Sequence, residues 1–144
     1  VTVHLMKMAV GCDSLATLAR RQQPWTVDTA EGVRVYRHRT RFLPKRWQEV
    51  VDGGSLYWVI KKQMLARQRV LAFESVGEGG DAHVLIHLDP AIVSVVPVPK
   101  RVFQGWRYLE PEEAPADIGG GADGAALAAM PPKLIADLRA LALL

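Results

Sequence analysis

An α+β fold, with a curved mixed sheet or small β-barrel and two or three flanking helices, is what this chain predicts. Three observations carry that expectation. Two short helical patterns, 15–23 and 44–51, are set between strand-like runs in the first third of the sequence. About five strand-like runs then follow one another from residue 56 to residue 109. Segregation of helices and strands along a chain argues for α+β rather than for alternating α/β units. The length, 144 residues, suits one domain with a proper core.

The elements follow in order. Thr2 to Val10 alternates loosely and predicts a strand. Asp13 or Ser14 can cap a helix over Leu15–Gln23, since a side-chain oxygen there accepts a free N–H of the first turn. Leu15, Leu18 and Ala19 give that helix its apolar side, and Pro24 stops it. Residues 33–40 predict a strand with Val33 and Val35 on one face and Tyr36, His38 and Thr40 on the other. In that phase Arg37, Arg39 and Arg41 follow Val35, so the strand is expected to leave the core as it proceeds. Pro44 fits the first turn of a helix to Val51, with Trp47, Val50 and Val51 buried and Gly53 ending it.

Leu56–Ile60 is continuously apolar and suits a strand covered on both faces. Met64–Phe73 predicts a long strand that places Arg67 and Arg69 on one face. Gly77–Asp81 reads as a hairpin connection. In the next run Ala82, Val84, Ile86 and Leu88 point one way, and His83 and His87 the other. A short strand over Ile92–Val96 is expected to stop at Pro97-Val98-Pro99, and Phe103–Leu109 forms the last. Residues 1–109 thus form the domain, 110–130 read as an acidic Gly/Ala/Pro linker, and 131–144 as a terminal helix with Leu134, Ile135, Leu138 and Leu141 on one side.

Charge divides along the same line. Residues 1–109 hold 16 Lys and Arg against 9 Asp and Glu, a net of +7; residues 110–144 hold 2 against 6, a net of −4. A basic body suits a polyanion partner, or an acidic tail that masks it. One cysteine, Cys12, leaves no internal disulfide and agrees with a reducing cytoplasm. No apolar run approaches the ~20 residues that span a bilayer. His4 and Lys7 break the apolar start, which is not laid out as a signal peptide.

Tests for chemistry remove most candidates. His83 and His87 are four apart on a strand, ~13 Å, too far to share a metal ion without long convergence. Gly53-Gly54-Ser55 is not a nucleophile elbow, and G-E-G-G-D lacks the lysine and helix of a phosphate loop. No metal or cofactor is expected. A base-assisted hydrolase of a modified nucleoside or amide needs a set such as Thr40, Lys61 and Glu74. What survives is a basic and aromatic set. Arg37, Arg39, Arg41, Lys45 and Arg46 would contact phosphate, with Thr40 beside them; Arg67 and Arg69 would extend that face. Tyr57, Trp106, Arg107 and Tyr108 would supply planar contacts to a base.

The segments H-L-M-K-M-A-V-G-C-D-S, L-P-K-R, D-G-G-S-L-Y-W-V-I-K, A-R-Q-R, L-D-P and F-Q-G-W-R-Y-L resemble the bacterial family called domain of unknown function 1489, over residues 3–115, with the tail outside. That resemblance implies no activity. The order of an R-x-R-x-T-R strand, a short helix, a Gly-containing turn and paired strands is more loosely similar to PUA-like barrels and their ASCH branch. It implies a cleft for RNA or a modified nucleoside, with Asp52–Ser55 at the turn and Arg39, Thr40 and Arg41 facing it. A G-x-K-x-x-x-x-R element of the ASCH pattern is not clear here. The expectation is therefore an RNA- or nucleotide-binding domain in the cytoplasm. A small-molecule hydrolase is one alternative, and an interaction module docking through the terminal helix is another.

Overall fold

The computed structural model describes residues 2–118. Its strands are β1 (His4–Met8), β2 (Thr26–Asp28), β3 (Arg34–Thr40), β4 (Ser55–Ile60), β5 (Gln63–Val76), β6 (His83–Leu88), β7 (Val93–Pro99) and β8 (Trp106–Leu109). Two short helices, α1 (Leu15–Gln22) and α2 (Trp47–Val51), lie between them. The strands run in the order β2-β3-β6-β5-β4-β1-β8, with β7 also on β5. Only the β1–β4 pair is parallel among the described ladders, so this is a mixed α+β sheet. It is open: among the described strands no ladder joins β8 to β2 or β3, so the expected closed barrel does not form as a hydrogen-bonded ring.

The long β5 organises the sheet. Residues 63–69 pair with β4, and the other edge of the strand pairs first with β7 and then, from Val70 onward, with β6. β6 and β7 therefore act as one strand broken at Asp89-Pro90. Register shifts at Trp58/Val59, Met64/Ala66 and Val70/Ala72 bend the sheet, as an extra residue on one side of a ladder does. β7 continues through Pro97 and Pro99, past the expected stop. β5 is its one ladder neighbour here, and a strand at a sheet edge tolerates residues without an N–H.

β4 is buried at all six positions. Leu56, Trp58 and Ile60 enter one core cluster with Val3, Leu5 and Leu18, while Tyr57 and Val59 enter a second with Met64, Val95 and Leu109. Residues 110–118, grouped by composition with the linker, close that second face. Ala114 packs on it, Ile118 is buried, and Asp117 bridges to Val95. The rest of the expected linker, and the terminal helix, fall outside the described residues.

Three local expectations change. On α1 the inner line is Leu15, Leu18 and Gln22, while Ala19 is exposed. Trp47 is 37 % exposed rather than core. Residues 44–46 form a turn before α2, and in one short helical turn Val50 reaches the interior. β3 leaves the core on one face only: Val35 is buried and Arg37 and Arg39 are exposed as expected, but on the opposite face Tyr36 and His38 are partly buried and Thr40, at the strand's end, is buried.

Candidate functional site

The site begins with how β1 and α1 meet. Ser14 caps α1 by accepting the Thr17 N–H, and the loop before it turns through Gly11, whose φ is +80°. The Arg21 guanidinium returns from α1 to this loop. It donates to the Val10 carbonyl and lies 3.1 Å from Cys12 Sγ. That clasp holds residues 9–12 as one wall of a cavity of about 340 Å³, with β3 and β4 opposite. Its inner surface includes Tyr36, His38 and Trp58; Trp25, 69 % exposed, stands at the rim.

Beneath it lies a closed amide network. Gln22 and Gln68 exchange two hydrogen bonds, 2.8 and 2.7 Å. The Trp58 indole N–H donates to Gln68 Oε1 at 2.7 Å, and Gln68 Nε2 also donates to the Asp89 carbonyl at 3.0 Å. Each polar group is satisfied, so the floor is rigid and Trp58 is fixed. His38 stands edge-on to Trp58 at 5.1 Å and shares a 3.3 Å hydrogen bond with the Tyr36 hydroxyl through Nδ1. Its Nε2 is buried without a hydrogen-bond partner. Burial, with Lys7 nearby, lowers the imidazole to about 4, so the ring is neutral at physiological pH.

Lys7 and Arg39 line both this cavity and a second depression of about 600 Å³ that continues past Thr40, Arg41 and His83. Thr40, Arg41 and Gly105 in turn line a third, about 560 Å³, with Phe42, Trp106, Arg107 and Tyr108. The three thus run in file as one trough. Among the described residues, none that lines them is acidic. Lys7, Arg39, Arg41 and Arg107 form no ion pair with any described residue. Burial lowers the Lys7 pKa, as expected for an ammonium partly withdrawn from water without a counter-ion. Gly105, with φ +68° and open space where a side chain would stand, leaves room for close approach to its backbone.

The structure brings six of the expected residues to this trough: Arg39, Thr40, Arg41, Trp106, Arg107 and Tyr108. The inner faces of Trp106 and Tyr108 also pack on the core, in edge contact at 5.0 Å, which limits them to partial stacking. The other six are placed elsewhere. Arg37 faces Glu74 at 4.0 Å, and Glu74 accepts a 2.8 Å bond from His87. Arg46 is held by Glu49 and Glu110, both at 2.8 Å; those carboxylates raise its pKa, the Glu49 bonds most. Arg67 binds Asp117 through two 2.7 Å bonds and so is spent on the tail. Tyr57 is 4 % exposed, too deep to stack a base. Lys45 and Arg69 are exposed but line none of the three depressions. The Asp52–Ser55 turn lines none of them either.

Nor do Thr40, Lys61 and Glu74 converge. Lys61 is in the β4–β5 turn, and Glu74 lies eleven residues beyond the start of β5, ~36 Å along an extended strand. Glu74 is engaged by His87. Among the described residues no three His, Cys, Asp or Glu side chains form a metal-sized cluster, and no helix is long and apolar enough to cross a membrane.

Sequence reasoning missed Lys7, Arg21, Trp25, Tyr36, His38 and Phe42 as site residues. Lys7 carried a usable signal, a lone cation inside the apolar first strand. Arg21 and Trp25 did not, because the α1–sheet approach that makes them neighbours of Lys7 is tertiary. A family model described as a protein of unknown function (DUF1489) matches residues 5–144, so the match runs on through the tail, beyond Pro115 where the recognisable motifs stop. No curated protein and no solved structure matches.

Proposed function

The chain belongs to this family of proteins of unknown function, and from its own geometry we propose that it binds RNA or a nucleotide-like ligand in the trough. One observation carries the reading: among the described residues, three adjoining depressions are lined by cations and by no carboxylate. Unpaired cations in an acid-free concavity attract anions and hold them weakly screened. Lys7 sharpens the argument. A half-buried ammonium lacking a counter-ion is disfavoured, and an incoming phosphate removes that cost. A planar group would enter the cavity between Tyr36 and the exposed Trp25 at the rim, above the buried Trp58. The neutral His38 adds no competing charge there, and Trp58 beneath it holds its ring in place. Arg39, shared by the cavity and the next depression, would grip the phosphate joined to that group, in the forked manner a guanidinium allows.

Binding of a random-sequence single-stranded RNA and of mixed nucleoside monophosphates, followed by fluorescence titration across a salt series, tests this. Affinity is expected to fall as salt rises. Lys7→Ala and Arg39→Ala should each weaken binding roughly tenfold, the worth of a charge-assisted contact. Binding that ignores both salt and these substitutions would remove the proposal.

A further inference from the structure

The trough is longer than one nucleotide requires, and its two ends are alike. Each of its three depressions, at about 340, 600 and 560 Å³, already falls within the ~300–1,000 Å³ of a complete small-ligand site. A mononucleotide in the cavity would leave the other two empty. The cations are spread along the file, not gathered at one point. Lys7 and Arg39 stand between the first and second depressions, Arg41 between the second and third, and Arg107 in the third. Exposed aromatic rings mark both ends: Trp25, 69 % exposed, at the cavity, and Phe42, 65 % exposed, at the far depression. The Arg41 guanidinium lies over the Phe42 ring at 5.2 Å, steadying it as a platform.

We infer that the ligand is a single-stranded oligonucleotide of at least three residues, with one base in the cavity, its phosphates along Lys7, Arg39, Arg41 and Arg107, and a later base on Phe42. This rests on the reading above and narrows it to a polymer. Repeating cations with aromatic platforms suit a strand whose bases are free to stack singly. A duplex cannot use the cavity, because its bases are paired and stacked inside the helix, whereas a splayed single-stranded base can enter. Four unpaired cations set the salt dependence: at ~0.7 per phosphate contact, the slope of log K against log salt should be roughly −3 for the full ligand.

The test is a length series on the intact chain. Random-sequence single-stranded oligoribonucleotides of one to eight residues are titrated, with an eight-base-pair duplex and an oligoglutamate of equal charge as competitors. Affinity should climb by about tenfold or more between one and four residues and then level off. Phe42→Ala with Arg107→Ala should cost strands of four or more residues about tenfold more than it costs a mononucleotide. A thermal melt that matches the wild type shows that the variant is folded. Equal affinity for one residue and for eight would overturn this inference but leave the proposed function standing. Absence of binding at every length would overturn both. A duplex or an oligoglutamate that displaces the strand as well as the strand itself would overturn the single-stranded nucleic-acid assignment.

Discussion

His38 shows how one side chain is read differently in a sequence and in a structure. In the strand R-V-Y-R-H-R-T it alternates with arginines, on the face opposite Val33 and Val35. In the fold its ring is inside, against Trp58, and titrates at about 4 instead of 6.5. Between those values the unfolded chain holds a proton that the folded chain does not. Stability from this residue is therefore complete above pH 6.5 and declines as pH falls toward 4, by roughly 3 kcal/mol in all. Denaturant melts of the wild type and His38→Phe between pH 7 and pH 4 check this; the wild type should lose stability relative to the variant as pH falls, and a difference that stays constant would overturn it. His4 adds in the same direction. Burial and Arg67 lower its pKa, and its Nδ1 must stay unprotonated to accept the Ser55 N–H at 3.0 Å. At this scale the arginines of β3 were visible in the sequence. Which of them lacked a partner was not, since Glu74, Glu49 and Glu110 come from other elements.

Among the elements, the turn between α2 and β4 has the tightest steric requirement. Gly53, at φ +90°, ends the helix as D-G-G-S predicts. Gly54 has a different reason: an added Cβ would stand 2.4 Å from both the Val3 and Val50 carbonyl oxygens. It also donates to Val50 and accepts from Val70, so neither strand nor helix can move aside freely. Gly54→Ala should lose about 2–4 kcal/mol in chemical denaturation, and Gly53→Ala about 1 kcal/mol. A Gly54→Ala variant as stable as wild type would show that the turn yields. Periodicity found β4, β5 and β6 because alternation and continuous apolar runs report local burial directly. It did not find β2, three residues long, or the extension of β7 through its prolines, since both depend on the neighbouring strand.

For the whole molecule, the division of charge acquires a mechanical side. The basic body is tied to the acidic segment by Arg67 and Asp117, whose bidentate contact accompanies the Val95–Asp117 bridge and the buried Ile118. The pair is partly exposed, at 25 % and 41 %, so its net worth is discounted for screening to about 1 kcal/mol. Asp117→Ala should lower stability by about that amount and raise amide exchange across residues 114–118; unchanged exchange there would mean that Ile118 alone holds the segment. The same pair takes Arg67 out of the basic set, while Lys7, Arg39, Arg41 and Arg107 in the trough form no ion pair with any described residue. The α+β class, most strands, the Ser14 cap and the basic bias were determined by the sequence alone, because each follows from near neighbours along the chain. The tertiary structure decided that the sheet stays open, that β3 turns its histidine inward, and which arginines remain available. Those outcomes depend on carboxylates, amides and backbone carbonyls that are distant in sequence and meet only when the sheet bends.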